Sequence, residues 1–180
     1  MTDKGKPKKK NDNWPLRVFF IAVILSALLS FFSSTALDGA GYVVACLVLI
    51  AFIALGIVFD MIGVAVTAAD PKPFHSMAAH RERGAKEALS LLRNASHVSS
   101  VCNDVVGDIC GIVSGSTAAV IVTQLQKSFG WRSIIVSTAV TAIISGVTIG
   151  GKAVGKRIAI KQSKKVVYFV AKLMAALHIG

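Results

Sequence analysis

Three aspartates, Asp60, Asp104 and Asp108, stand inside long apolar runs of this 180-residue chain. A charged side chain at membrane depth costs about 2.5–3.5 kcal/mol on the insertion scale, so each needs a compensating environment. Their neighbours are small or oxygen-bearing. Gly56, Asp60, Gly63 and Thr67 recur at helical spacing and share one face. In the following run Ser100, Asp104, Gly107, Asp108, Gly111 and Gly115 do the same, with Asn103 at the edge. Carboxylates, amides and hydroxyls are the ligands that hard cations prefer. The set Asp60, Ser100, Asn103, Asp104 and Asp108 therefore reads as a cation site, and no basic residue lies deep in these runs to neutralise it. Asp104 and Asp108 are one turn apart, where two ionised carboxylates repel. A bound dication, a retained proton or a partner helix would relieve that repulsion.

The glycines carry a second message. Gly107, Gly111 and Gly115 make overlapping GxxxG repeats, and a later run holds Ser137, Thr141 and Ser145 with the pair Gly146 and Gly150. Such stripes let helices approach closely, and serines on them commonly bond their own backbone. A glycine-lined face predicts association into a homodimer.

The elements that must position these residues follow from composition. Hydrophobic residues make up 54% of the chain and charged residues 16%, against roughly 25% charged in an ordinary soluble domain. This excludes a soluble enzyme, a disordered tail and a disulfide scaffold. The three cysteines (Cys46, Cys102, Cys110) are odd in number and sit in apolar runs, and the four histidines lack metal-ligand spacing. No nucleophile triad or P-loop is present, so neither an enzyme nor an organic cofactor is expected. The net charge of +11 comes from basic residues flanking apolar runs, which points to the lipid bilayer rather than nucleic acid.

Four runs are long enough to span: Leu16–Ala36, Tyr42–Ala69, Val98–Thr123 and Ser133–Ile149. The first has a signal-peptide look, ending at Ser34-Thr35-Ala36, but exceeds the 7–15 apolar residues of such a segment and is read as uncleaved. Residues 1–14 form a basic tail. Between the second and third spans, Ala85 to Arg93 has the pattern of a short amphipathic helix, and Val166 to Leu177 that of an interfacial helix. With four spans, 18 of the 20 Lys and Arg residues fall on one side, leaving Lys127 and Arg132 on the other. The positive-inside rule puts that basic side, with both termini, in the cytoplasm. The expected fold is an all-α, four-span protein of the cytoplasmic (inner) membrane.

Three passages resemble the CNNM/CorC (CorB-like) transmembrane domain of magnesium-transport proteins. "FDMIGVAVTAAD" is similar to the small, polar and acidic stretch late in that family's first span. "GAKEALSLLRNASHVSSVCNDVVGDICGIVSGSTAA" resembles its cytoplasmic helix and asparagine-bearing second span. "GGKAVGKRIAIKQSKKVV" has the spacing of its Gly-Glu-x-x-Pro-Lys stretch, with Gly151 and Lys156 matching but Lys152 for Glu and Gly155 for Pro. Residues 42–177 would form the three-span family unit (spans 42–69, 98–123 and 133–149), with 15–36 as an extra span. The 180 residues contain no CBS domain. The resemblance implies divalent-cation transport, Mg2+ first and Co2+ second, with Mg2+ bound or carried at the oxygen-ligand site. The rival expectations are a non-transporting structural or regulatory subunit whose aspartates contact an unidentified membrane partner, and a proton-coupled carrier.

Overall fold

A computed structural model describes residues 14–39, 41–129 and 134–177. The side chains of residues 127–129, the basic residues before Trp14 and Arg132 lie outside that description. All described elements are helical, as they must be where no water is available to backbone N–H and C=O groups. They are α1 (Trp14–Leu37), α2 (Tyr42–Ala68), α3 (Lys72–Ala79), α4 (Ala85–Arg93), α5 (Ala95–Ser100), a π-helical turn (Val101–Gly107), α6 (Asp108–Phe129), α7 (Ile134–Lys161) and α8 (Ser163–Ala176). Helix α5, the π turn and α6 form one continuous rod. Four rods are long and apolar enough to cross a membrane: α1, α2, α5–α6 and α7. The protein is an all-α, multi-pass membrane protein.

Rods consecutive in sequence alternate in direction, and named contacts fix this. Trp14 stacks near His97 with ring centroids 4.1 Å apart, and Ser33 shares a 3.2 Å hydrogen bond with Thr117. Chain numbers rise together in these pairs, so α1 and the α5–α6 rod are parallel. Gly56 abuts Cys110 and Gly63 abuts Asn103, while the Tyr42 hydroxyl donates to the Gln124 carbonyl at 3.0 Å. Helix α2 therefore runs antiparallel to that rod. Gly151 and Gly155 of α7 meet Ile57 and Met61 of α2, so those two helices are parallel.

The best-packed core lies at the end of the bundle where α2 stops. Phe74 of α3, Ala88 and Leu91 of α4, Ala159 of α7, and Val167 and Ala171 of α8 close around Ala65 and Val66. Gly84 starts α4 with φ of +90°, a conformation glycine adopts without a Cβ penalty. A side chain there would also meet the Lys172 backbone at 3.1 Å. The opposite end holds the last turns of α1 and α6 and the first turns of α2 and α7. Along the flank of the bundle, Val18, Ala22, Leu25 and Leu29 of α1 pack on Val105, Ile109 and Val113, which ties the first span to the third.

Three features differ from the sequence reading. The helix of the fourth span does not end at Ile149 but continues as one helix of 28 residues to Lys161. An unexpected helix, α3, follows the second span, and Pro71 and Pro73 at its start are the missed signal. The third span carries a π turn, which no 3.6-residue periodicity anticipates. Helix α4 has the expected bounds.

Candidate functional site in the membrane bundle

The sequence places Ser100, Asp104 and Asp108 on one face of the third span with Asn103 at its edge, and Asp60 on a face of the second; the bundle divides the four third-span residues between two faces of that rod. The π turn covers Val101–Gly107, and its i→i+5 pattern re-aims the residues on either side of it. Asn103, Gly107 and Cys110 face α2. Asp104 and Asp108 face the groove beside α1.

The inner face is built by close approach. Gly63 has no room for a Cβ, because the Asn103 amide occupies that space, with Cγ 2.8 Å and Nδ2 3.0 Å from where it would lie. Asn103 Nδ2 donates to Ser99 Oγ at 3.1 Å, whereas its buried Oδ1 accepts nothing among the described residues. A turn further along, Asp60 is 3% exposed. A Cβ at Gly107 would be 3.7 Å from both Asp60 Oδ1 and Lys152 Nζ, so one small backbone surface gathers a carboxylate and an ammonium.

The sequence has no basic residue deep in the apolar runs, yet a lysine from beyond the fourth run reaches one of the three carboxylates, Asp60. Lys156 Nζ lies 3.2 Å from Asp60 Oδ2, and Lys152 Nζ donates to the Gly107 carbonyl at 3.2 Å. Both lysines follow the apolar run that ends at Ile149. In the fold they ride on the continuing helix α7. The repeat Gly-Lys-x-x-Gly-Lys over residues 151–156 explains their reach. Gly151 and Gly155 press the α7 backbone onto Ile57 and Met61, and each lysine next to a glycine is thereby brought beside α2 and the π turn.

The outer face is different. Asp104 and Asp108 are exposed and line a groove of about 550 Å³ with Phe19, Ala22, Ser26 and Ser30 of α1. Ser100 Oγ donates to Asp104 Oδ2 at 2.9 Å. Among the described residues no basic side chain pairs with either carboxylate; the one ion pair is Lys156–Asp60. The structure thus brings Ser100 to Asp104, and Asn103 to the α2 face that carries Asp60, but does not unite the five. Among the described residues no three His, Cys, Asp or Glu side chains converge as a ready-made metal cluster.

The glycine stripes divide in the same way. Gly56, Gly63, Gly107, Gly151 and Gly155 are used inside the bundle, while Gly111, Gly115, Gly146 and Gly150 have open space beside them. Ser137 and Thr141 donate to backbone carbonyls one turn back in their own helix, as hydroxyls on a packing face commonly do.

Comparison with known proteins agrees with this architecture. The family model described as the Cyclin M (CNNM) transmembrane N-terminal domain matches residues 47–179, from within α2 to past α8. No curated protein and no solved structure matches the chain. The family match covers the three rods α2 (from residue 47), α5–α6 and α7 with their helical connections, and begins after α1. The chain belongs to the CNNM transmembrane-domain family, which is associated with divalent-cation transport.

Proposed function

We propose that this protein carries a divalent cation, Mg2+ first and Co2+ second, across the cytoplasmic membrane. The observation that carries the reading is the outer carboxylate pair. Asp104 and Asp108 are exposed at membrane depth, one turn apart, with no basic partner among the described residues. Lipid cannot compensate such groups, whereas a dication neutralises both at once. Ser100, already bonded to Asp104, and Ser26 and Ser30 across the groove add hydroxyl oxygens. Mg2+ gives up water reluctantly and is held through one or two carboxylates while keeping several waters. A roomy groove with two carboxylates suits that habit better than a tight cage. The inner oxygens, Asn103 Oδ1 and Asp60, are the second station of the pathway.

In this reading the protein works as a homodimer with both termini in the cytoplasm. The 18-to-2 division of basic residues supports the orientation, and the open glycines Gly111 and Gly115, in line with Asp104 and Asp108, support association. That alignment also favours one other reading: a non-transporting subunit whose aspartates dock a polar partner helix.

Mg2+ flux into liposomes containing only the purified chain separates the two. Transport predicts flux from the wild type and its loss in Asp104→Asn with Asp108→Asn. Absence of wild-type flux in well-incorporated protein would sink the transport reading.

A further inference from the structure

We propose that Lys156 and Lys152 act as tethered counter-cations, occupying the inner face in place of a mobile ion so that a dication reaches Asp60 only by displacing them. The inference rests on the cation-pathway reading, but it concerns a different face of the third span. Among the described residues Asp60 is the only acidic group there, and its side chain is 4% exposed. Around it stand two ammonium groups, Lys156 Nζ at 3.2 Å from Oδ2 and Lys152 Nζ on the Gly107 carbonyl. One negative and two positive charges leave this face net positive, so a dication meets repulsion there unless a lysine withdraws.

The two lysines are built to withdraw. The Lys156 side chain is 48% exposed although its ammonium touches a buried carboxylate, so its stem already leads toward the outside. Ammonium on a four-carbon stem is flexible and strongly hydrated. The Asp60 contact is also incomplete, because among the described residues buried Oδ2 accepts no hydrogen bond; the contact with Lys156 is an ion pair without one. Lys152 has only a neutral carbonyl as its described partner. Against that, Gly151 and Gly155 lock the α7 backbone onto Ile57 and Met61. The anchors are fixed while the tips are free, which is the arrangement of an intramolecular competitor. Asn103 Oδ1, buried and without a partner among the described residues, supplies a neutral oxygen on the same α2-facing side.

A tethered group competes at an effective concentration in the mM range when its linker is short. Removing one lysine should therefore lower the Mg2+ concentration at half-maximal binding by about tenfold, and removing both should lower it further. The test measures Mg2+-dependent thermal stabilisation of the purified full chain, with Mn2+ binding by electron paramagnetic resonance as a second readout. Asp104→Asn and Asp108→Asn are present throughout, so the outer face does not contribute. In that background Lys152→Gln, Lys156→Gln and their combination should gain dication binding, Lys156→Arg should not, and Asp60→Asn should abolish the gain. If Lys156→Gln does not fold, Lys152→Gln, which breaks no ion pair, carries the test alone. Unchanged or weaker binding in the Lys→Gln variants overturns the proposal, even where wild-type flux upholds transport. Binding gained through Asp60 in a chain whose wild type gives no flux supports the tethered counter-cation and removes the transport reading instead.

Discussion

Replacing Gly63 by alanine tests the inner face through its packing. A methyl group there would overlap the Asn103 amide, with Cγ 2.8 Å and Nδ2 3.0 Å away. Real Cβ atoms do not approach so closely, so the amide must swing aside or α2 must retreat from the π turn. Overpacking of this kind costs about 1–3 kcal/mol. Swinging the amide also breaks its bond to Ser99, worth about 0.5–1.5 kcal/mol. Helix propensity opposes both, since alanine is better than glycine in a helix by about 0.8–1.0 kcal/mol. The net is a loss of about 0.5–4 kcal/mol. Gly111 and Gly115 have nothing within 4 Å of an added Cβ among the described residues, so alanine at either leaves only the propensity gain, up to about 1 kcal/mol. Reversible unfolding in mixed micelles, followed by circular dichroism, should rank Gly63→Ala well below the wild type and Gly111→Ala at or above it. Gly63→Ala as stable as the wild type would refute the close approach of α2 to the π turn, and with it the placement of Asn103.

Other expectations follow from the same geometry. At Mg2+ a hundredfold above its dissociation constant, binding linkage stabilises the protein by about 2.7 kcal/mol; Asp104→Asn with Asp108→Asn should remove most of this, and stabilisation that survives together with Asp60→Asn rules the site out. In a background lacking Cys46, Cys102 and Cys110, cysteines at Gly39 and Ser128 should label from outside the cell, and external labelling at residues 76–90 would contradict the topology. Leucine at Gly111 and Gly115 should leave the monomer folded but abolish cross-linking between two copies; undiminished cross-linking would move the dimer contact elsewhere. Ser33→Ala removes the bond to Thr117 and should loosen α1 by about 0.6 kcal/mol, the average for such bonds between membrane helices, read as faster proteolysis at the α1–α2 connection.

How far the site was legible depends on which physical signal each part leaves in the sequence. Burial of apolar surface leaves a strong one, so the four spans and helix α4 with its amphipathic pattern are readable from hydropathy alone. Asp60 and Gly63 share a face in sequence and in space because α2 is a regular helix. The third span is not regular. Its π turn separates Asn103 and Gly107 from Asp104 and Asp108, so a stripe drawn at 3.6 residues per turn merges two faces that serve different neighbours. The lysines were hidden for another reason. Hydropathy ends a span where charge begins, yet the backbone of α7 stays helical to Lys161. A long charged side chain at a span's end can lie along apolar surface and reach a buried partner. The visible clue was the Gly-Lys-x-x-Gly-Lys repeat at residues 151–156: a glycine one turn apart on either side of each step marks close helix contact, and a lysine beside each glycine marks what that contact delivers. Lys152, noted in sequence as the residue standing where the resembling family has glutamate, therefore matters less as a missing ligand than as a cation supplied by the chain itself.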